Sequence, residues 1–284
     1  MGKLNVHLMI IDPQVDFMDL PGSSLPVPGA AADMDRLATM VDRVSDKVDD
    51  VHVTVDSHHL IDIAHTGATL DGISTPSWWM DQNGNNPPPY QVITAADVKN
   101  GIWIPRRMAL RSRTIDYLDK LAASPNQYPL IAWPPHCLIG TKGHNIYEPL
   151  MKALLRWCAR QFAIIDFVTK GSNIFVEHYG GMKAEVEDPD DPTTALNMDF
   201  IKMIQDADII ACAGEALSHC FRSTMQQIID NIGPEHLKKF HILTDATSPV
   251  PAAPGLDFPA ISKAWLADIE KMGVTLTTTD KFLV

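Results

Sequence analysis

The sequence predicts a doubly wound α/β fold, a mainly parallel sheet of about six strands with helices on both faces. Two observations carry the prediction. Short apolar runs alternate with amphipathic segments through most of the 284 residues. Several of those runs end abruptly in reactive polar residues, as strands do at the ligand-binding rim of an open sheet. The composition agrees with a globular chain of this class, 45% hydrophobic and 20% charged.

The elements follow in order. Residues 4–11 form an apolar run stopped by Asp12 and Pro13, which suits a buried first strand and not a signal peptide. Met34, Leu37, Val41 and Val44 recur at helical spacing. Val51, Val53 and Val55 alternate as a strand does. Residues 130–133 make a short apolar run closed by Pro134 and Pro135. A helix is expected at 147–160, a strand at 162–168, a helix at 194–205 and a strand at 209–213. Phe221, Met225, Ile228, Ile229 and Ile232 line one helix face, closed by Gly233 and Pro234. A strand at 240–243, a helix at 261–272 and a strand at 274–276 complete the pattern.

The alternation breaks between Thr66 and Pro129. This stretch carries Trp78 and Trp79, an Asn/Gly/Pro cluster at 83–89 and a helix expected around 112–122. It reads as an insertion at about 66–129 covering one end of the sheet of a single domain, 1–284. The EVEDPDDP stretch at 185–192 reads as an acidic surface loop.

The charge narrows the function classes. Lys plus Arg is 23 and Asp plus Glu is 35, a net charge of −12. That argues against nucleic-acid or anionic-membrane surfaces, which reward clustered Lys and Arg. No apolar run approaches the ~20 residues of a membrane span. Cys137, Cys158, Cys212 and Cys220 have no CxxC spacing, which suggests reduced thiols and a cytoplasmic protein.

Five expected strands end in reactive side chains. The first is followed by Asp12, Gln14 and Asp16, the second by Asp56, Ser57, His58 and His59. His136 and Cys137 follow the 130–133 run, Lys170 the next strand, and Gly214–Cys220 the one after. One such residue would mean little; five on one rim point to an active site. Cys220 opens a helix, whose N-terminus favours a thiolate, and Ser218 is placed to cap it. A free cysteine is more often a small core residue, a description that suits Cys158 and Cys212 inside apolar runs better than Cys220. Asp12 reads as a turn residue or as the base for the thiol, and Lys170 as a solvated lysine or as the cation beside it. Asp56 and His58, two apart on an extended segment, point the same way and with His136 would make a metal site; His59 and His65 are further candidate ligands, or ordinary loop histidines.

The motifs together resemble the isochorismatase-like cysteine hydrolases, and within them the metal-containing nicotinamidase type. The matching segments are 10–17 (IIDPQVDF), 26–29 (PVPG), 56–58 (DSH), 133–141 (WPPHCLIGT), Lys170-Gly171 with Tyr179 downstream, 214–220 (GEALSHC) and Asp245-Ala246. The resemblance implies an amidohydrolase with a Cys220–Asp12–Lys170 triad, a cis peptide at Glu215–Ala216, and an oxyanion hole from the N–H groups of Ala216 and Cys220. It also implies a divalent ion, zinc or iron, on Asp56, His58 and His136. The substrate would be nicotinamide or a related small amide, cleaved to the acid and ammonia through a thioester, by a homo-oligomer. Phe17, with Trp78 or Trp79 from the insertion, is expected to line the pocket; the two tryptophans would otherwise pin the insertion to the sheet. Two rival functions stand beside this one: a hydrolase using metal-bound water, and a catalytically idle member with a binding or assembly role.

Overall fold

Residues 3–70, 73–124, 129–252 and 255–284 are described by a computed structural model. The insertion expected at 66–129 therefore includes residues, 71–72 and 125–128, that lie outside the description. In chain order the elements are β1 (Val6–Ile11), α1 (Ala30–Val44), β2 (Asp50–Asp56), β3 (Thr69–Leu70), β4 (Ile73–Ser74), β5 (Trp79–Met80), β6 (Gln91–Ile93), α2 (Ala95–Lys99) and β7 (Ile104–Pro105). They continue with α3 (Arg111–Ala123), β8 (Leu130–Ala132), α4 (Glu148–Gln161), β9 (Ile165–Lys170), α5 (Met198–Asp206), β10 (Ile209–Gly214), α6 (Cys220–Asn231), β11 (Phe240–Leu243), α7 (Phe258–Lys271) and β12 (Thr275–Thr277).

Six strands form one sheet in the order β12-β11-β10-β1-β2-β9, and every pair is parallel. This is the six-stranded parallel α/β sheet that the alternation predicts. Strand β1 is buried along its whole length because both of its faces carry a core. Val6, Leu8 and Ile10 pack with residues of α1 and α4. Met9 and Ile11 point the other way, into the core built by α5, α6 and α7. The chain runs outward from β1 to β2 and β9, then returns to lay β10, β11 and β12 on the other side. Adjacent β1 and β10 are thus the switch point, where an open parallel sheet leaves a crevice at its carboxyl rim. Gly214 ends β10 at φ +115°, and a Cβ there would collide with the Ile11 backbone, so the close approach of the two strands requires glycine.

One expected strand belongs elsewhere. Strand β8 pairs antiparallel with β6 of the insertion and not with the parallel sheet. A three-residue apolar run is compatible with either partner, so the sequence does not distinguish them. Helix α2, opened by a Thr94–Asp97 capping box, is too short to show in the periodicity. The insertion is tied to the main core: Trp79, Ile93, Val98, Tyr117, Leu118 and Leu121 are buried in the same cluster as α6. Among the described residues no helix is long and apolar enough to cross a membrane.

Candidate active site and metal centre

Four adjacent strands deliver the site. Asp12 follows β1, Asp56 ends β2, Lys170 ends β9, and the turn after β10 leads to Cys220 at the first position of α6. Lys170 is the hub. Its Nζ lies 3.0 Å from Asp12 Oδ2 and 2.9 Å from Asp56 Oδ1. It also donates to the His178 carbonyl at 3.0 Å and reaches Cys220 Sγ at 3.7 Å. Asp12 is held in turn: Thr54 Oγ1 donates to its Oδ1 at 2.6 Å, and its own N–H donates to Thr54 Oγ1 at 3.0 Å. Asp12 sits at φ +43°, a left-handed conformation that an aspartate keeps only where its surroundings impose it.

All three groups are buried, and burial sets their protonation. Desolvation raises the Asp12 pKa, and the Lys170 charge offsets only part of it. Burial works against the Lys170 charge, but Asp12 and Asp56 outweigh it and hold the ammonium well above its usual range. Burial also pushes the Cys220 thiol well up, with Asp12 and Asp56 adding to the shift and Lys170 opposing it. Burial thus opposes the helix N-terminus at this thiol, and a base is needed to take its proton. Ser218 does not cap α6. His219 is the N-cap residue, without a side-chain capping bond, and Ser218 Oγ instead lies 2.9 Å from His219 Nδ1 and accepts from the Val250 N–H at 3.1 Å.

The peptide bond Glu215–Ala216 is cis. The Ala216 carbonyl accepts the His219 and Phe221 N–H groups at 2.9 and 3.2 Å. Among the described residues, the N–H groups of Ala216 and Cys220 make no hydrogen bond. Both residues line the cavity that also holds Phe17, Asp56, Trp133, His136, Lys170 and Tyr179. Leu25, Val27 and Val250 supply its apolar wall, and Glu177, His178 and His219 complete it.

Beside the triad stands a histidine cluster. One donor atom each from His58, His65 and His136 lie within 4.8 Å of one another, and all three residues are buried. Asp56 Oδ2 is 3.0 Å from His58 Nε2 and 3.4 Å from His136 Nε2. Of the two further candidates, the structure brings in His65 and leaves His59 exposed. The rings are aimed by neighbours. His136 Nδ1 donates to the Pro134 carbonyl at 2.8 Å, which leaves Nε2 facing Asp56. His58 Nδ1 meets Asp62 Oδ2 at 3.2 Å, a carboxylate–histidine pair of the kind that orients metal ligands. Burial and the neighbouring His58 and His136 hold His65 neutral, its pKa well below the usual value. Both of its ring nitrogens are buried without a partner among the described residues, a state a polar group rarely keeps unless a ligand satisfies it. Three histidines and a carboxylate match the donor set of a borderline-soft divalent ion, so these residues fit a metal. Gly171, at φ +81°, is required beside them, because a Cβ would stand 2.7 Å from Asp56 Oδ1 and 3.2 Å from the His58 ring.

Other rim residues act as braces. Gln14 donates to the Asp56 carbonyl at 2.7 Å and accepts its N–H at 2.7 Å. Asp16 accepts the Cys137 N–H at 2.8 Å, which anchors the loop carrying His136. Cys137 and Cys212 are buried, whereas Cys158 is only partly so. Phe17 lies in the cavity, its ring 5.5 Å from that of His136. Trp78 and Trp79 are not among the cavity residues. Trp79 is fully buried and donates Nε1 to the Ile63 carbonyl at 2.7 Å, and Trp78 packs edge-on against Phe175. They fasten the insertion, the second of the two roles open to them. The aromatic wall is built instead by Trp133, whose Nε1 donates to the Tyr179 hydroxyl at 3.1 Å. No motif assigns Asp62 or Glu177 a role; the fold brings them here.

Solved structures share this architecture. The chain aligns with the yeast nicotinamidase at TM-score 0.57 and 15% identity, over 96% of this chain and 99% of that one. A nicotinamidase/pyrazinamidase of Acinetobacter baumanii aligns at TM-score 0.55 and 17% identity, over 98% of each chain. The pyrazinamidase of Pyrococcus horikoshii, in complex with zinc, aligns at TM-score 0.51 and 16% identity, over 96% and 99%. The chain has the isochorismatase-like fold. No family model and no curated protein sequence matches it. At these identities the likeness of this chain to its neighbours is one of fold, and its chemistry has to be argued from its own residues.

Proposed function

We propose that this chain is a cysteine amidohydrolase that cleaves the carboxamide of nicotinamide or a related small amide to the acid and ammonia. The observation that carries the proposal is the buried contact of one ammonium, Lys170, with both a carboxylate and a thiol, 3.0 Å from Asp12 and 3.7 Å from Cys220. Three fold neighbours of stated nicotinamidase or pyrazinamidase activity support the reaction class.

The chemistry follows from those groups. Asp12 takes the proton from Cys220 Sγ as sulfur attacks the carbonyl carbon of the amide. A carboxylate with a raised pKa is a stronger base than an exposed one, and its deprotonated partner is stabilised by Lys170. The new oxyanion is held by the N–H groups of Ala216 and Cys220. Asp12 passes the proton to the amide nitrogen, the C–N bond breaks and ammonia leaves a thioester on Cys220. Water then attacks the thioester carbon; Asp12 takes one of its protons and returns it to sulfur as the C–S bond breaks. The acid departs and the thiol is restored. Phe17, Trp133 and Tyr179 would flank a flat ring and exclude bulk water. Asp56, His58, His65 and His136 would hold a zinc or iron ion, which supplies a Lewis-acidic anchor for a ring nitrogen of the substrate. An ammonia-release screen over aromatic and aliphatic amides, with and without chelator, tests the proposal. Release from small aromatic amides that Cys220→Ala abolishes is expected; no release from any amide by the metal-loaded protein would reject it.

A further inference from the structure

We propose that the free edge of the sheet is a self-association surface, on which two copies of this chain pair along β9 with Phe162 and Ile164 at the contact. Strand β9 is the last of the six, and among the described residues no strand pairs with its outer side. An unpaired edge exposes a row of N–H and C=O groups that proteins normally blunt with charge, proline or a covering element. Here β9 carries one half-exposed charge, Asp166, and exposed apolar side chains stand beside it. Phe162 is fully exposed and Ile164 is 84% exposed, with Leu155 of α4 and Phe167 of β9 about half exposed.

Phe162 is the sharpest of these. It caps α4 in the left-handed conformation, at φ +52°, a position where glycine is the default because a Cβ is strained there. A phenylalanine with no burial gains the monomer nothing in return for that strain. A partner that covers its ring explains its presence.

The occupant that fits is a second copy. An edge strand is complementary to itself when reversed, so a two-fold axis across β9 lets each copy satisfy the other's backbone groups antiparallel. The area is of the right order. Taking ~200 Å² for a fully exposed phenylalanine, the four apolar side chains offer on the order of 500 Å² per copy. A stable interface needs about 800 Å² per partner, and the strand backbone supplies much of the remainder. Charge leaves the contact open: Lys152 and Arg156 are neutralised by Glu148 and Asp42 of the same molecule, and Asp166 is the one acid of β9. In such a dimer the two carboxyl rims open at opposite ends, and Lys170 stays within its own site.

Sedimentation velocity and light scattering over roughly 1–100 μM protein test this, the range in which interfaces of this size assemble. The wild-type mass is expected to rise from 31.3 kDa to twice that value with concentration. The double variant Phe162→Glu/Ile164→Glu is expected to stay at 31.3 kDa throughout, with an unchanged circular dichroism spectrum, since both side chains are exposed. Phe162→Gly, which relieves the backbone, is expected to melt higher and associate more weakly. A wild type that remains monomeric at the highest concentration, or a double variant that associates as the wild type does, would overturn the proposal.

Discussion

Lys170 keeps its proton although it is buried, because Asp12 and Asp56 sit on either side at hydrogen-bonding distance. The same ammonium joins two sites that are separate in the sequence: through Asp12 it belongs to the thiol, and through Asp56 to the histidines. Buried charges of this kind are stable only as a set, and removing one strands the others. His58 shows the same dependence. Burial works against its charge, and Asp56 with Asp62 hold its pKa well above the usual value. Asp62 touches no other histidine of the cluster in the hydrogen-bonding scheme, so it acts through His58. Asp62→Asn keeps the shape and removes the charge. It is expected to weaken divalent-metal affinity by about 10–100-fold, the range seen when such orienting partners are lost, with the fold intact. A chelator-competition titration measures it; unchanged affinity would remove Asp62 from the metal centre.

At the level of strands and helices, the insertion serves as a clamp on the core face of the sheet, and none of its described residues lines the cavity. Trp79 is its pin, fully buried with its indole N–H satisfied. Truncation in a packed core costs about 3–5 kcal/mol, so Trp79→Ala is expected to lower the melting temperature markedly. The ratio of kcat/KM between nicotinamide and bulkier amides is expected to stay the same. A changed ratio with an unchanged melting temperature would return Trp79 to the substrate pocket. What the sequence made legible follows from range. Asp12, Asp56, Lys170 and Cys220 each stand beside the strand or helix that delivers them, so an apolar run followed by a reactive residue is enough to find them. His65 was open to the sequence only as one of two further candidate histidines, because the loop after β2 does not fix which ring turns inward; Asp62 and Glu177 carry no motif that marks them. Strand β8 misled for the same reason: its partner β6 is almost forty residues away in a segment without strong periodicity. The Trp78-Trp79 pair looks alike whether it lines a pocket or a core.

Across the whole molecule, the cost of the site is a set of buried titratable groups with opposed pH dependences. Burial raises Glu177 and Glu185 to about 7, and lowers His178 and His219 to about 3. A carboxyl with a raised folded-state pKa contributes stability that is full below the unfolded pKa of 4.5 and is lost as pH rises toward 7. The two histidines run the other way, losing stability as pH falls below 6.5. Their opposition flattens the total, so the carboxyl is best isolated by difference. Glu185→Gln is expected to gain stability relative to wild type between pH 4.5 and 7, by at most about 1.4 kcal/mol per pH unit. Urea unfolding at a series of pH values reads this; a difference independent of pH would mean that Glu185 is ionised throughout.

The central claim is that the amide carbon becomes bonded to Cys220 Sγ. Rapid-quench intact-mass spectrometry during turnover of a small aromatic amide tests it most directly. The account predicts an acyl adduct on the wild-type chain, mapped to the peptide containing Cys220, absent in Cys220→Ala and diminished in Asp12→Asn. Ammonia release by Cys220→Ala at the wild-type rate, with no adduct on either protein, would contradict it.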